Sequence, residues 1–151
     1  MKEAGKILVN LSERIKLTKS PTVPNDFRDL LDVHVAILAT NGQDGVPQVT
    51  AVWFIHDNAT DEIKVSLNDT RQKAKNLRAD PKATLFILDP ANPYRSLEIR
   101  ANTELAADSD FSFAHVVATK YGQDPHEFDQ EGDTRSIVTL RPTTIHGTIT
   151  G

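Results

Sequence analysis

Residues 68–81 read NDTRQKAKNLRADP and stand between two strand-like runs, residues 63–67 (IKVSL) and 83–88 (ATLFIL). Asn68 and Asp69 are residue types that start helices, because a short side-chain oxygen accepts one of the free amides of the first turn. That reading puts Arg71 and Lys73 in the first turn. Free backbone amides, the positive end of the helix dipole and two cationic side chains then converge on one point, which is how a protein holds a phosphate. A second reading fits the same spacing: a solvated amphipathic helix with Ala74 and Leu77 turned toward the core. Spacing alone leaves both open.

Outward from this helix the chain takes the period of a sheet. Residues 33–40 (VHVAILAT), 46–56 (VPQVTAVWFIH) and 62–68 (EIKVSLN) are strand-like, with NGQDG and residues 57–61 as turns, and they predict a three-strand antiparallel meander. Pro47 cannot donate a ladder hydrogen bond and belongs at a strand start or an edge. Further on, residues 82–89 and 95–107 read as strands, the second with Leu97, Ile99, Ala101, Thr103 and Leu105 alternating with polar residues. Asp108 and Ser109 cap a helix, DFSFAHVVATKYG, which Gly122 ends. Residues 123–134 read as an acidic surface loop, and residues 135–140 and 143–150 as two last strands split at Pro142. About seven strands with few helices, joined mostly in sequence order, predict a mostly β protein whose antiparallel sheet closes into a barrel with flanking helices. A dinucleotide-binding α/β fold is excluded, since GQDG is no glycine fingerprint.

Residues 1–31 read as an N-terminal helical extension to a barrel domain of residues 32–151. Ile7, Leu8, Leu11 and Ile15 form one apolar stripe, and Pro24 suits the first turn of a short helix over residues 26–31. At 151 residues the chain is long enough for one domain with its own core. It has no Cys, so disulfides, thiolate metal sites and thiol nucleophiles are excluded. The net charge of −4 is uneven: residues 1–20 and 64–82 are basic, the rest acidic. An acidic protein is a poor partner for nucleic acid, whereas a small anion needs only a local basic patch. No apolar run reaches membrane-spanning length and no signal-peptide pattern opens the chain, so a cytoplasmic protein without a membrane partner is expected.

The histidines, His34, His56, His115, His126 and His146, are scattered, and none has a second ligand at metal-site spacing, although His115 and His126 could meet across a loop. The nucleophile elbow G-x-S-x-G and the phosphate loop of NTPases are absent. What remains is an anion-binding helix start beside residues 48–53 (QVTAVW), which mix hydrogen-bonding side chains with the only Trp. Together they point to a flat ligand with a phosphate arm; a core Trp is the alternative.

Three segments, VPQVTAVWF, VSLNDTRQKAKNLRADPKATL and DPANPYRSLEIRANTEL, resemble the pyridoxamine 5'-phosphate oxidase-like superfamily, the FMN-binding split β-barrels. Within it they are most similar to the flavin/deazaflavin oxidoreductase branch that uses coenzyme F-420. The resemblance covers residues 30–145, and R-x-K-x-x-N-L followed by D-P is its most specific part. It implies that Arg71 and Lys73 bind the cofactor phosphate, and that Gln48, Thr50, Val52, Trp53 and Ser66 line the ring and ribityl chain. It also implies an obligate homodimer, with Tyr94 to Leu97 supplied by the second chain, and the apolar alternation of Leu97, Ile99 and Ala101 is expected to form part of the interface. Ala101 stands where many relatives have Gly, and Ser96 where an aromatic is frequent. The expected function is an F-420-dependent reductase that transfers hydride to a conjugated small molecule, with no acid or base residue identified. The alternatives are an FMN-dependent oxidase or reductase and a non-catalytic carrier of the cofactor. The N-terminal cations Lys2, Lys6, Arg14, Lys16 and Lys19 offer a path for the oligoglutamate tail of F-420, or simply solubilise a helix.

Overall fold

The computed structural model describes residues 21–150. The apolar stripe and basic residues expected in residues 1–20 lie outside the described residues. Among the described residues there are seven strands: β1 (Ala36–Asn41), β2 (Pro47–Val52), β3 (Ile55–His56), β4 (Ile63–Asn68), β5 (Lys82–Leu88), β6 (Arg95–Ala107) and β7 (Arg135–Ile149). With them are two α-helices, α1 (Gln72–Ala79) and α2 (Ser112–Tyr121), and 3-10 helices over Asn25–Asp32 and Pro125–Phe128.

All seven strands join one sheet in the order β2-β1-β5-β6-β7-β4-β3, and every pair is antiparallel. Strands β2 and β3 hold opposite edges, yet only Trp53 and Phe54 separate them in the chain. Three Cα steps span at most about 11 Å. The sheet must therefore curl until its edges nearly meet, leaving a slot beside β2 and β4: a split antiparallel β-barrel, as the sequence predicts. Pro47 starts the edge strand β2, where its missing N–H costs no ladder bond.

Two strand expectations are corrected. The meander fails because β4 does not pair with β2; the chain breaks at Trp53-Phe54, and β4 crosses to β7. The last two strands are one, because Pro142 falls at a bulge where the β6–β7 register shifts between Arg100 and Ala101, so it interrupts the ladder without ending the strand.

The core gathers the inward residues of the strands, among them Leu38, Ile63, Val65, Leu85, Leu97, Ile99 and Val138. The 3-10 helix at Asn25–Asp32 realises the short helix expected after Pro24, and Phe27, Leu30 and Leu31 enter this same core with Val23. Phe27 lies so close to Gly147 that a Cβ there would stand 2.4 Å from its ring.

Asp61 pins this segment to the barrel. It occupies the left-handed region at φ 56° in the β3–β4 turn, a conformation Asp tolerates better than most residues. Its carboxylate accepts from the Val23 amide at 2.8 Å, from Arg28 at 3.0 and 3.1 Å, and meets His56 Nε2 at 2.8 Å. Burial opposes ionisation of Asp61, but the bonds from Arg28, Val23 and His56 outweigh it and hold the carboxyl below the usual range. A carboxyl with a depressed folded pKa contributes stability that is complete above its unfolded pKa and is lost as pH falls through the folded one. Asp61→Asn is expected to lower stability at neutral pH by about 2 kcal/mol and to flatten the loss of stability on acidification. Denaturant melts from neutral to acid pH measure both.

Candidate functional site

The start of α1 differs from its sequence reading. Asn68 Oδ1 accepts from the amide and the hydroxyl of Thr70, at 2.9 and 2.7 Å, which folds the chain into a tight turn instead of capping a helix. Asp69 is drawn away by Arg78, Ser136 and Thr134. The helix begins at Gln72, Arg71 takes the N-cap position in extended conformation, and no side chain caps it. Arg71 thus stands just before the first turn and Lys73 within it, and the first helical amides remain available as donors. On the inner side of α1, Ala74, Asn76 and Leu77 are buried, so the amphipathic and the anion-binding readings describe two faces of one helix.

A cavity of about 290 Å³ opens at the slot of the barrel, bounded by Val52 and Trp53 from the β2–β3 bend, Val65 to Asn68 of β4, Ala114, Val117 and Ala118 of α2, and Phe128. Arg71, Lys73 and Arg135 line it at the α1 side. Asp108 sets α2 in place by accepting from the amides of Phe113 and Ala114, and Gly122 ends the helix in the left-handed region at φ 66°. From α2, Tyr121 stacks on Trp53 with ring centroids 4.7 Å apart and planes 9° from parallel, while Phe128 meets Trp53 edge-on at 5.6 Å. The peptide of Phe54, outside the ladder, is satisfied by the Tyr121 hydroxyl and by Lys120 Nζ, which donates to its carbonyl at 2.7 Å. Trp53 is therefore held by its bend and its stacking partner, with its remaining surface turned to the groove.

Six of the described arginines are ion-paired: Arg28, Arg78, Arg95, Arg100, Arg135 and Arg141. Arg71 and Lys73 form no ion pair among the described residues. Lys73 is half-buried, and burial together with the neighbouring charge of Arg71 lowers its pKa. Among the described residues its ammonium donates to Thr50 Oγ1, at 3.4 Å. Two cations outside any ion pair among the described residues, one of them partly desolvated, form a seat for an anion.

Of the residues expected at the site, Val52, Trp53, Ser66, Arg71 and Lys73 line one groove, with Thr50 joined to it through Lys73. Gln48 does not line it; its side-chain oxygen accepts from Asn76, which bridges α1 to Thr40. Tyr94 is exposed at the start of β6, away from the groove within one chain. Leu97 is fully buried in the core with Ile99 and Ala101, so its side chain is committed to its own barrel and cannot enter a partner's pocket. Arg135 and Asn68 were missed as groove residues. They are register partners on β7 and β4, and nothing local in either stretch announces that pairing. His115 and His126 do meet, with rings 5.4 Å apart, but among the described residues no group of three or more potential ligands gathers around a metal position.

The family model of pyridoxamine 5'-phosphate oxidase matches residues 24–148. A solved F-420 reductase is 32% identical over 82% of this chain and 98% of its own, with a TM-score of 0.72. The chain belongs to the pyridoxamine 5'-phosphate oxidase-like split-barrel superfamily. Other split barrels share the fold alone: a conserved hypothetical protein from Mycobacterium tuberculosis (20% identity, 88% of each chain, TM-score 0.66) and General Stress Protein 26 from Bacillus anthracis (14% identity, 81% of this chain and 90% of that one, TM-score 0.61). The protein is a flavin- or deazaflavin-related oxidoreductase.

Lys73 is expected to titrate below the exposed lysines and to move back up when a phosphate fills the seat, because the anion restores the counter-charge that burial withholds. Side-chain NMR of the lysines with and without inorganic phosphate checks both.

Proposed function

We propose that the protein is an F-420-dependent oxidoreductase, a reductase that transfers hydride between the deazaflavin and a conjugated small molecule. The observation that carries this reading is the groove: an apolar slot walled by Val52, Trp53 and Val65, with the unpaired Arg71 and Lys73 at one end. A flat ring on a phosphate arm fits that distribution, since the ring gains from leaving water and the phosphate gains charge-assisted bonds. The identity of 32% to an F-420 reductase over 82% of the chain supports the deazaflavin. When bound, the cofactor supplies the hydride chemistry. Arg71, Lys73 and the first amides of α1 fix the phosphate, and the walls orient the ring and exclude water.

FMN carries the same ring plan and a ribityl phosphate, and the family model is that of an oxidase, so an FMN-dependent oxidase or reductase is the second reading. In absorbance titrations F-420 is expected to bind more tightly than FMN, and Arg71→Ala and Lys73→Ala are each expected to weaken binding about tenfold. Parent-like binding by both variants would remove the phosphate assignment. Acceptor-dependent oxidation of bound, reduced F-420 separates an enzyme from a carrier.

The homodimer belongs to the same proposal, with its surface reassigned. Leu97, Ile99 and Ala101, expected to form the interface, face the core. The outward side of β2, β1 and β5 instead presents Val49, Ala51, Ile37, Phe86 and Leu88, partly or fully exposed on neighbouring strands. Ala51 and Val35 connect this face to the groove, since both also line it. A second copy seated there would bury apolar surface and close the slot together. Phe86→Asp, whose side chain points away from the core, is expected to give a monomer by light scattering with cofactor affinity reduced tenfold or more. A parent protein that binds cofactor as a stable monomer overturns the dimer.

A further inference from the structure

Behind the cationic end of the groove stand two carboxylates, Asp129 and Asp133, bonded to the lining residues Arg135 and Asn68. Arg135 is bound by Asp129 through two bonds of 2.7 and 2.9 Å and donates to Ser66 Oγ at 3.1 Å, which engages three of the five donors of a guanidinium. The amide of Asn68, which also lines the groove, donates to Asp129 at 2.9 Å and to Asp133 at 2.8 Å. Asp129 is ionised: burial opposes its charge, but Arg135 and Asn68 hold its pKa low. Asp133 is ionised too, held low by the Gln130 amide and Asn68, with the charge of Arg71 assisting and Asp129 opposing. Asp69 and Arg78 neutralise each other further along.

Around the anion seat there are thus three cations, Arg71, Lys73 and Arg135, against two carboxylates, Asp129 and Asp133, with His126 at the edge near Asp129. Asp129 is 8% exposed and already fills one side of Arg135, so solvent screens it poorly. Three cations against two carboxylates leave the seat one net positive charge, which the first negative charge of a ligand cancels. A second would face the carboxylates without a cation of its own.

We propose that this seat selects a phosphate bearing one negative charge, a phosphodiester, over a terminal phosphomonoester. The inference rests on the cofactor reading above and deepens it, because the phosphate of F-420 is a diester and that of FMN a monoester. Arg135 is then a positioning residue, kept beside Ser66 by Asp129, and the pair Asp129 and Asp133 sets the charge limit of the seat.

The test compares FMN with its methyl phosphodiester, two probes identical in ring and ribityl chain. Both are titrated into the full chain at about pH 8, where a phosphomonoester is dianionic, with Trp53 fluorescence as the readout. The diester is expected to bind about fivefold more tightly, although a purely cationic seat would favour the dianion. Asp133→Asn is expected to shift the ratio toward FMN several-fold. Asp129→Asn should do the same, and Asp133→Asn remains the measurement if loss of the buried ion pair unfolds that variant. FMN binding as well as or better than its diester, or a ratio that Asp133→Asn leaves unchanged, overturns the inference while F-420 binding leaves the cofactor reading intact. If neither probe nor F-420 binds, the cofactor reading fails and this inference with it.

Discussion

The two-residue tie between the edge strands is the constraint on which the rest depends. Trp53 and Phe54 join β2 to β3 across the open side of the sheet, and so short a link forbids a flat sheet. Their peptides lie outside the ladder, where a buried backbone group without a partner would be costly. Tyr121 and Lys120 of α2 supply the partners at Phe54. The closure of the barrel, the docking of α2 and the presentation of Trp53 to the groove are thus one arrangement, in which Phe54 points into the core at 0% exposure and its neighbour points into the slot.

The electrostatics follow a similar division. Elsewhere the arginines hold acidic turns and strands together: Arg28 binds Asp61, Arg95 binds Asp29 and Asp89, Arg141 binds Glu62 and Glu104. The exposed pairs among them, such as Arg141 with Glu104, contribute little to stability, whereas Asp61 is buried and its bonds hold the preceding segment to the barrel. Arg71 and Lys73 stand outside any ion pair among the described residues, at the place where a helix start also offers amide donors. In a chain of net charge −4, that local excess of positive charge stands against an acidic whole.

The same helix shows how a local reading of a helix start can fail while the cations it places stay beside that start. Asn68 and Asp69 are good caps by residue type, yet their side chains are taken by Thr70, Asp129 and Asp133 and by Arg78, Thr134 and Ser136. Propensity describes a residue facing only its own backbone. Here β7 and the acidic loop offer competing partners, and the competition moves the helix start by a few residues without moving Arg71 and Lys73 away from it.

What the sequence determined by itself is whatever depends on neighbours along the chain. Strand and helix periods, the turn at Gly122, the edge position of Pro47 and the placing of two cations beside a helix start are of this kind, and so is the motif that links the chain to its superfamily. Only the tertiary structure decided which strand pairs with which, that residues 135–149 form one strand through Pro142, and that Arg135 stands across from Asn68. It also decided which face of the alternating runs looks outward: Leu97, Ile99 and Ala101 turn to the core, Val49, Phe86 and Leu88 away from it. The physical reason is that alternation divides a strand into two faces but names neither, and register is set by hydrogen bonds to residues far away in the chain. A groove built where several separate elements meet is therefore written in the sequence only as its individual walls.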